Sequence, residues 1–186
     1  MSETMVLTVP GRYDSGPKHW QNCWERDDPK HVRHVRQREW EKPNAKDWIA
    51  ELDRAVVAAG PDVVLVGHSL GCCTIALWAR KHKRAVRGAL LVAPSDTGRK
   101  SYPKGARGFK PMPLRPLPFP SIVVASSNDP YVSQARAKRF AKAWGSRYVC
   151  IGDAGHINSE SGYGAWPGGM QLLRSLRRGR RHVRAR

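Results

Sequence analysis

The sequence predicts a three-layer α/β fold, in which helices cover both faces of a mostly parallel central sheet of about six strands. Short apolar runs alternate with longer amphipathic stretches along the chain, which is the order expected of parallel strands joined by crossover helices. The run Val63–Val66 is apolar without alternation, as expected of a strand covered on both faces. Hydrophobic residues make up 40% of the 186 residues, which is enough to build a core.

Each element follows from its hydrophobic run and from the residues that end it. The predicted strands are Met5–Val9, Val32–Val35, Val63–Val66, Gly88–Val92, Ser121–Ser126 and Tyr148–Ile151. The predicted helices are Lys18–Glu25, 44–59, Leu70–Lys81, Ser133–Trp144 and Gly168–Leu176. Asn44 is a favourable N-cap for the second helix, and Gly60-Pro61 ends it. The segment Pro94–Pro120 is predicted to be a loop, and because it is long for a compact domain we expect it to cover a site.

The distribution of charge divides the chain into one expected domain, 1–176, and an Arg-rich tail, 177–186. The chain has 33 Lys and Arg residues against 15 Asp and Glu residues, which gives a net charge of +18. Seven arginines crowd the C-terminus: Arg174, Arg177, Arg178, Arg180, Arg181, Arg184 and Arg186. Such a block is usually solvated and can touch nucleic acid nonspecifically, so no dedicated nucleic-acid function is predicted.

Composition and spacing argue against several other classes. No apolar run approaches the ~20 residues that span a bilayer, and Met5–Val9 is too short for a secretion signal, so we expect a cytoplasmic protein. The four cysteines have neither zinc nor redox CxxC spacing and are expected to be free thiols. His31 and His34, three apart on a strand, would face opposite sides, so no metal site is expected. Gly11–Lys18 lacks the Lys-Ser/Thr ending of a phosphate-binding loop, and no cofactor is predicted.

The segment Gly67-His68-Ser69-Leu70-Gly71 lies between the most strongly buried strand and a helix. In this setting G-x-S-x-G predicts a nucleophile elbow, a sharp turn that lifts the serine hydroxyl above the sheet. The glycines two positions on either side allow the strand and the helix to approach without a Cβ clash. The helix N-terminus also places backbone N–H groups near any oxyanion that develops. The sequence therefore predicts that Ser69 is a nucleophile.

A nucleophilic serine needs a base and an orienting acid, which follow it along the chain in this architecture. Asp129 follows the fifth predicted strand and His156 follows the last, at the sheet edge where open α/β sheets place their chemistry. Asp153, in the same loop as His156, and Asp96, after the fourth strand, are alternative acids. His68 lies beside the nucleophile and is expected to orient or pack instead of acting as the base.

Two N–H donors are required to stabilise the oxyanion of a tetrahedral intermediate. Leu70 supplies the first, because its amide directly follows the nucleophile. The second is expected from the turn after the first strand, at either Arg12 or Tyr13.

Five spaced segments carry a resemblance to a known family. They are PGRYDSGPKHWQNCW (10–24), EWEKP (39–43), VGHSLGC (66–72), LPFPSIVVASSNDPY (117–131) and GHINSESG (155–162). With these motifs in this order, the chain from about Val6 to Leu176 resembles the retinoblastoma-binding-protein-9-like family of small serine hydrolases. The resemblance implies a compact α/β-hydrolase fold without a large lid domain. It also implies a catalytic triad of Ser69, Asp129 and His156.

Two features of the chain fall outside this resemblance. The arginine-rich tail has no counterpart in it, and the L-x-C-x-E motif for the retinoblastoma pocket is absent, so that partnership does not carry over. The expected function is a serine hydrolase that cleaves small carboxylic esters, or thioesters or amides, through an acyl-enzyme. The alternative is a non-catalytic module that keeps the hydrolase fold and binds an acidic partner through its basic surface.

Overall fold

A six-stranded sheet forms the centre of the fold in the computed structural model, which describes residues 4–178. The strands are β1 (Met5–Val9), β2 (Val32–His34), β3 (Val63–His68), β4 (Gly88–Val92), β5 (Ser121–Ala125) and β6 (Arg147–Cys150). Their order is β2-β1-β3-β4-β5-β6, and every neighbouring pair is parallel. The helices are α1 (Trp20–Asp27), α2 (Ala45–Ala59), α3 (Leu70–Lys81), α4 (Gln134–Trp144) and α5 (Pro167–Arg177). The predicted fold class is therefore confirmed.

Two apolar clusters, one on each face of the sheet, produce the three layers. Alternate residues of β3 point to opposite clusters, so that Leu65 packs with α2, α3 and α4 while Val64 and Val66 pack with α1 and α5. All six residues of β3 are buried. This accounts for the unbroken apolar run in the sequence, because both faces of a central parallel strand must be apolar.

Side-chain caps and glycines set most of the helix ends. The Asn44 side chain accepts a hydrogen bond from the Lys46 N–H at 3.0 Å, and Gly60, with a positive φ of 78°, ends α2 as the sequence predicts. Helix α1 begins two residues later than predicted because His19 caps it, with Nδ1 accepting from the Gln21 N–H at 3.2 Å. Helix α5 extends to Arg177, the first residue of the predicted tail; 179–186 lie outside the described residues.

The strand order directs several loops to one edge of the sheet. The chain moves from β1 outward to β2, then returns to β3 on the other side of β1 and continues in the opposite direction. Such a switch point opens a crevice at the carboxyl ends of the two strands involved, here β1 and β3. The segments that follow β4, β5 and β6 reach this same edge. Within residues 4–178, no helix is long and apolar enough to cross a membrane.

Candidate active site

Ser69 occupies the turn between β3 and α3 in a strained backbone conformation. Its φ of 53° and ψ of −118° lie in a region that non-glycine residues rarely adopt. The Ser69 N–H donates to the Val92 carbonyl oxygen at 3.0 Å, and the Ser95 N–H donates to the Ser69 carbonyl oxygen at 3.3 Å. These bonds to the end of β4 and the segment after it hold the elbow in its strained form.

The two glycines of the elbow are required by close packing, as the motif predicts. A Cβ at Gly67 would lie 2.9 Å from the Cys72 nitrogen and from Ile75 Cδ1. A Cβ at Gly71 would overlap the Val9 carbonyl oxygen of β1. Any larger residue at either position would force the strand and the helix apart.

The structure brings Ser69, His156 and Asp129 together in one continuous chain of hydrogen bonds. His156 Nε2 lies 2.9 Å from Ser69 Oγ, and His156 Nδ1 lies 2.9 Å and 3.0 Å from the two carboxylate oxygens of Asp129. A carboxylate only accepts, so Nδ1 carries the ring proton and Nε2 is free to accept the Ser69 hydroxyl proton. The side chains of His156 and Asp129 are 9% and 0% exposed, so the bond between them is shielded from water.

Two polar side chains just after β5 accept hydrogen bonds from the backbone of the loop that contains His156. Ser126 Oγ accepts from the Ala154 N–H at 2.9 Å, and Asn128 Oδ1 accepts from the Gly155 N–H at 2.7 Å. The carboxylate of Asp129 also accepts from the Tyr131 N–H at 2.8 Å. The acid and the histidine are therefore held relative to each other by backbone contacts as well as by their own bond.

The two alternative acids have other partners. Asp153 Oδ1 accepts from the Ser127 hydroxyl at 2.5 Å. Asp96 Oδ1 lies 3.1 Å from Arg136 Nε and accepts from the Gly98 N–H at 3.3 Å. Among the aspartates considered from the sequence, Asp129 is the one that contacts His156.

Backbone N–H groups lie near Ser69 on two sides, and they distinguish the candidates for the second oxyanion donor. A Cβ on Gly11 would be 2.9 Å from Ser69 Cβ and 3.3 Å from Ser69 Oγ, so the turn after β1 runs directly past the nucleophile. The Tyr13 N–H is already paired, since it donates to the Trp40 carbonyl oxygen at 3.1 Å. Within residues 4–178, the N–H groups of Arg12 and Leu70 have no such acceptor. This leaves Arg12 with Leu70 as the available pair.

Ser95 is a contact of the nucleophile that the sequence analysis missed. Its Oγ lies 2.9 Å from Ser69 Oγ, and the residue is 2% exposed. When the Ser69 hydroxyl donates to His156, Ser69 Oγ can only accept from Ser95, so Ser95 must be the donor in that pair. The sequence gives little indication of this contact, since Ser95 is simply a serine three residues after a buried strand that ends at the same edge of the sheet.

Three histidine rings pack against one another, edge-on or tilted, beside the nucleophile. His68 lies between His19 and His156, with ring centroids 4.7 Å and 4.9 Å away. His68 Nε2 donates to the His156 carbonyl oxygen at 2.9 Å, so it orients His156 as the sequence suggests. Burial, followed by the charge of His156, lowers the pKa of His68 well below 6.5 and lowers the pKa of His19 to about 4. Both rings are therefore neutral at pH 7.

An open cavity of about 430 Å³ lies over Ser69 and His156. Three tyrosines form much of its wall, and the Tyr131 ring packs edge-on against His156 with centroids 4.6 Å apart. The long loop contributes Tyr102 and Pro103, so it does border the site, as its length predicts. The basic residues between Arg99 and Arg115 do not line this cavity, and the arginine that does line it is Arg12.

Within residues 4–178, no group of three or more His, Cys, Asp or Glu side chains could hold a metal ion.

A serine held by a histidine and a carboxylate at the edge of a parallel sheet defines the α/β-hydrolase class of enzymes. The model of the family described as "Serine hydrolase" matches residues 6–175, and the chain belongs to this family. The predicted membership of a family of small serine hydrolases with an α/β fold is thus confirmed.

Solved structures give the same fold. The chain is similar to a YdeN-like hydrolase from Pectobacterium atrosepticum, with 34% identity and a TM-score of 0.83 over 94% of this chain and 90% of that one. It is similar in fold to the ydeN gene product of B. subtilis, with 18% identity and a TM-score of 0.72 over 93% and 98% of the two chains. A non-heme bromoperoxidase, BpoC, from Mycobacterium tuberculosis shares the fold at 14% identity, with a TM-score of 0.66 over 94% and 93%. A comparison with curated proteins gave no significant match.

Proposed function

We propose that this hydrolase cleaves carboxylic esters through an acyl-enzyme formed on Ser69. The observation that carries the proposal is the unbroken hydrogen-bonded chain from Ser69 Oγ through His156 to Asp129, at the floor of an open cavity. Asp129 holds the proton of the neutral imidazole on Nδ1 of His156, which leaves Nε2 to accept the Ser69 proton. Thioesters and amides undergo the same acyl transfer and are further candidate substrates.

In the first half of the reaction, the Ser69 oxygen attacks the acyl carbonyl carbon while His156 Nε2 takes the hydroxyl proton. Asp129 stabilises the imidazolium that results, without itself taking a proton. The N–H groups of Leu70 and Arg12 donate to the oxyanion of the tetrahedral intermediate. His156 then gives its proton to the leaving oxygen, the alcohol departs, and the acyl group remains on Ser69.

In the second half, His156 Nε2 takes a proton from water, which attacks the acyl carbon. Collapse of the second tetrahedral intermediate returns the proton to Ser69 Oγ and releases the carboxylic acid. Ser95 keeps its O–H directed at Ser69 Oγ in both halves, because its own proton takes part in none of the transfers to or from His156. We infer that Ser95 is a positioning residue for the nucleophile.

We propose the cytoplasm as the setting of this activity. All four cysteines are free, with Cys150 exposed and the other three buried, and free thiols are compatible with a reducing compartment. Burial raises the pKa of Cys72 and Cys73, so these two thiols beside the elbow stay protonated and do not compete as nucleophiles.

The competing function, a non-catalytic module, is disfavoured by the completeness of the site. A binding module has no need for a strained serine whose hydroxyl is aligned with a buried histidine–carboxylate pair. Turnover of p-nitrophenyl acetate by the full chain, beside a Ser69→Ala variant, separates the two functions. We expect turnover that is lost in the variant, and equal slow rates in both proteins would favour the binding module.

A further inference from the structure

Most of the side chains that line the cavity over Ser69 carry a polar group. Among residues 4–178, none of the residues that line it carries an aliphatic side chain other than Pro103. Serines, histidines and the hydroxyl-bearing rings of Tyr13, Tyr102 and Tyr131 are most of the lining residues, together with charged and amide side chains. The apolar residues of the core, by contrast, lie behind this layer in the two clusters of the sheet.

Some side chains of this wall have polar atoms left to donate hydrogen bonds, and the carboxylates of Asp14 and Glu160 also line it. Asn158 Oδ1 accepts from the N–H and the hydroxyl of Ser161, so its amide nitrogen is left to donate. Arg12 Nε donates to the Glu41 carbonyl oxygen, while its buried Nη1 has no hydrogen-bond partner among residues 4–178. Oxygen atoms on a ligand would accept hydrogen bonds from such donors.

An alkyl acyl chain would gain little in such a cavity. Burial of a methylene group against an apolar wall favours binding by roughly fourfold, but here the chain would displace water from polar groups and leave them unpaired. An acyl group that carries an ether, hydroxyl or carbonyl oxygen would replace that water with new hydrogen bonds. We infer that the site takes short, oxygen-bearing acyl groups in preference to alkyl acyl chains. This inference rests on the proposed esterase function and names the class of its substrate.

A pair of esters of equal size tests the inference. p-Nitrophenyl methoxyacetate differs from p-nitrophenyl butyrate by an oxygen in place of one methylene group, and dividing each kcat/KM by the rate of hydroxide hydrolysis removes their difference in intrinsic reactivity. We expect the corrected kcat/KM to favour methoxyacetate by about tenfold or more, as one or two new hydrogen bonds would produce. From butyrate to octanoate we expect kcat/KM to stay level or fall.

A matched pair of variants locates the effect in the cavity. Tyr13→Phe removes one hydroxyl from the wall and keeps the ring, so the preference for methoxyacetate over butyrate should drop severalfold. Tyr148→Phe makes the same change on β6, outside the residues that line the cavity, and should leave the preference as it is.

The outcomes separate this inference from the function on which it rests. If Ser69-dependent turnover rises about fourfold per methylene from butyrate to octanoate and shows no corrected preference for methoxyacetate, the polar-acyl inference is wrong and the esterase proposal stands. If Ser69→Ala hydrolyses all of these esters as fast as the unmodified chain does, the esterase proposal is wrong and the inference falls with it.

Discussion

His19 should make the stability of this protein depend on pH. The residue is 4% exposed, and burial, followed by the charge of His156, lowers its pKa from 6.5 to about 4. Between these two values the unfolded chain binds a proton at this position and the folded protein does not. Protonation therefore favours the unfolded chain, so this contribution to stability is complete above pH 6.5 and is lost as the pH falls toward 4. The gap between 6.5 and about 4 corresponds to about 3 kcal/mol.

The variant His19→Asn isolates this contribution. Asparagine keeps the cap of α1, because its side-chain oxygen can accept the Gln21 N–H, but it does not titrate in this range. Urea unfolding of both proteins at several pH values gives the free energy of unfolding of each. In the difference between the two proteins, the contributions of titrating groups that both share cancel. We expect the unmodified protein to lose up to about 3 kcal/mol more than the variant between about pH 7 and pH 4. Parallel pH dependences would refute the argument, since they would mean that folding does not hinder protonation of His19.

Two further predictions concern side chains next to the nucleophile and its base. Ser95→Ala removes a hydroxyl donor to Ser69 and should lower kcat/KM about three- to tenfold, the value of one neutral hydrogen bond. Ser121→Ala breaks a comparable serine–serine bond away from the site and should leave kcat/KM unchanged; an equal loss in both variants would point to a general structural effect. Asp129→Asn should reduce kcat roughly 10³- to 10⁴-fold, because the amide carries no charge to stabilise the imidazolium and its N–H can donate to Nδ1 of His156, which places the ring proton on Nε2. Asp153→Asn should have little effect, and the reverse ranking in ester assays would overturn the assignment of the acid.

The architecture could be predicted from the sequence because its signals are local. The apolar run of β3, the Asn44 cap and the flanking glycines each act through neighbours in the chain or through a general packing rule. The order of serine, acid and histidine along successive strands was also sufficient to place three distant residues at one edge. These features needed no knowledge of how particular side chains meet across the sheet.

The remaining parts of the site depend on tertiary contacts that no local pattern encodes. Ser95 reaches Ser69 because the segment after β4 turns back over the elbow, where Ala93 has a positive φ of 49°. His19 is not a usual N-cap residue, and its neutral state results from burial against His68. The proposal of Arg12 instead of Tyr13 as an oxyanion donor likewise depends on the hydrogen bond from the Tyr13 N–H to the Trp40 carbonyl oxygen, which the sequence does not reveal.

The reactivity of a single hydroxyl tests the central claim most directly. A fluorophosphonate probe, followed by peptide mass spectrometry, identifies any serine that a neighbouring base has made nucleophilic. We expect one adduct on the peptide that contains Ser69, and no adduct in the Ser69→Ala variant. An adduct on Ser95, whose oxygen lies 2.9 Å away, or labelling that persists in the variant, would contradict the account.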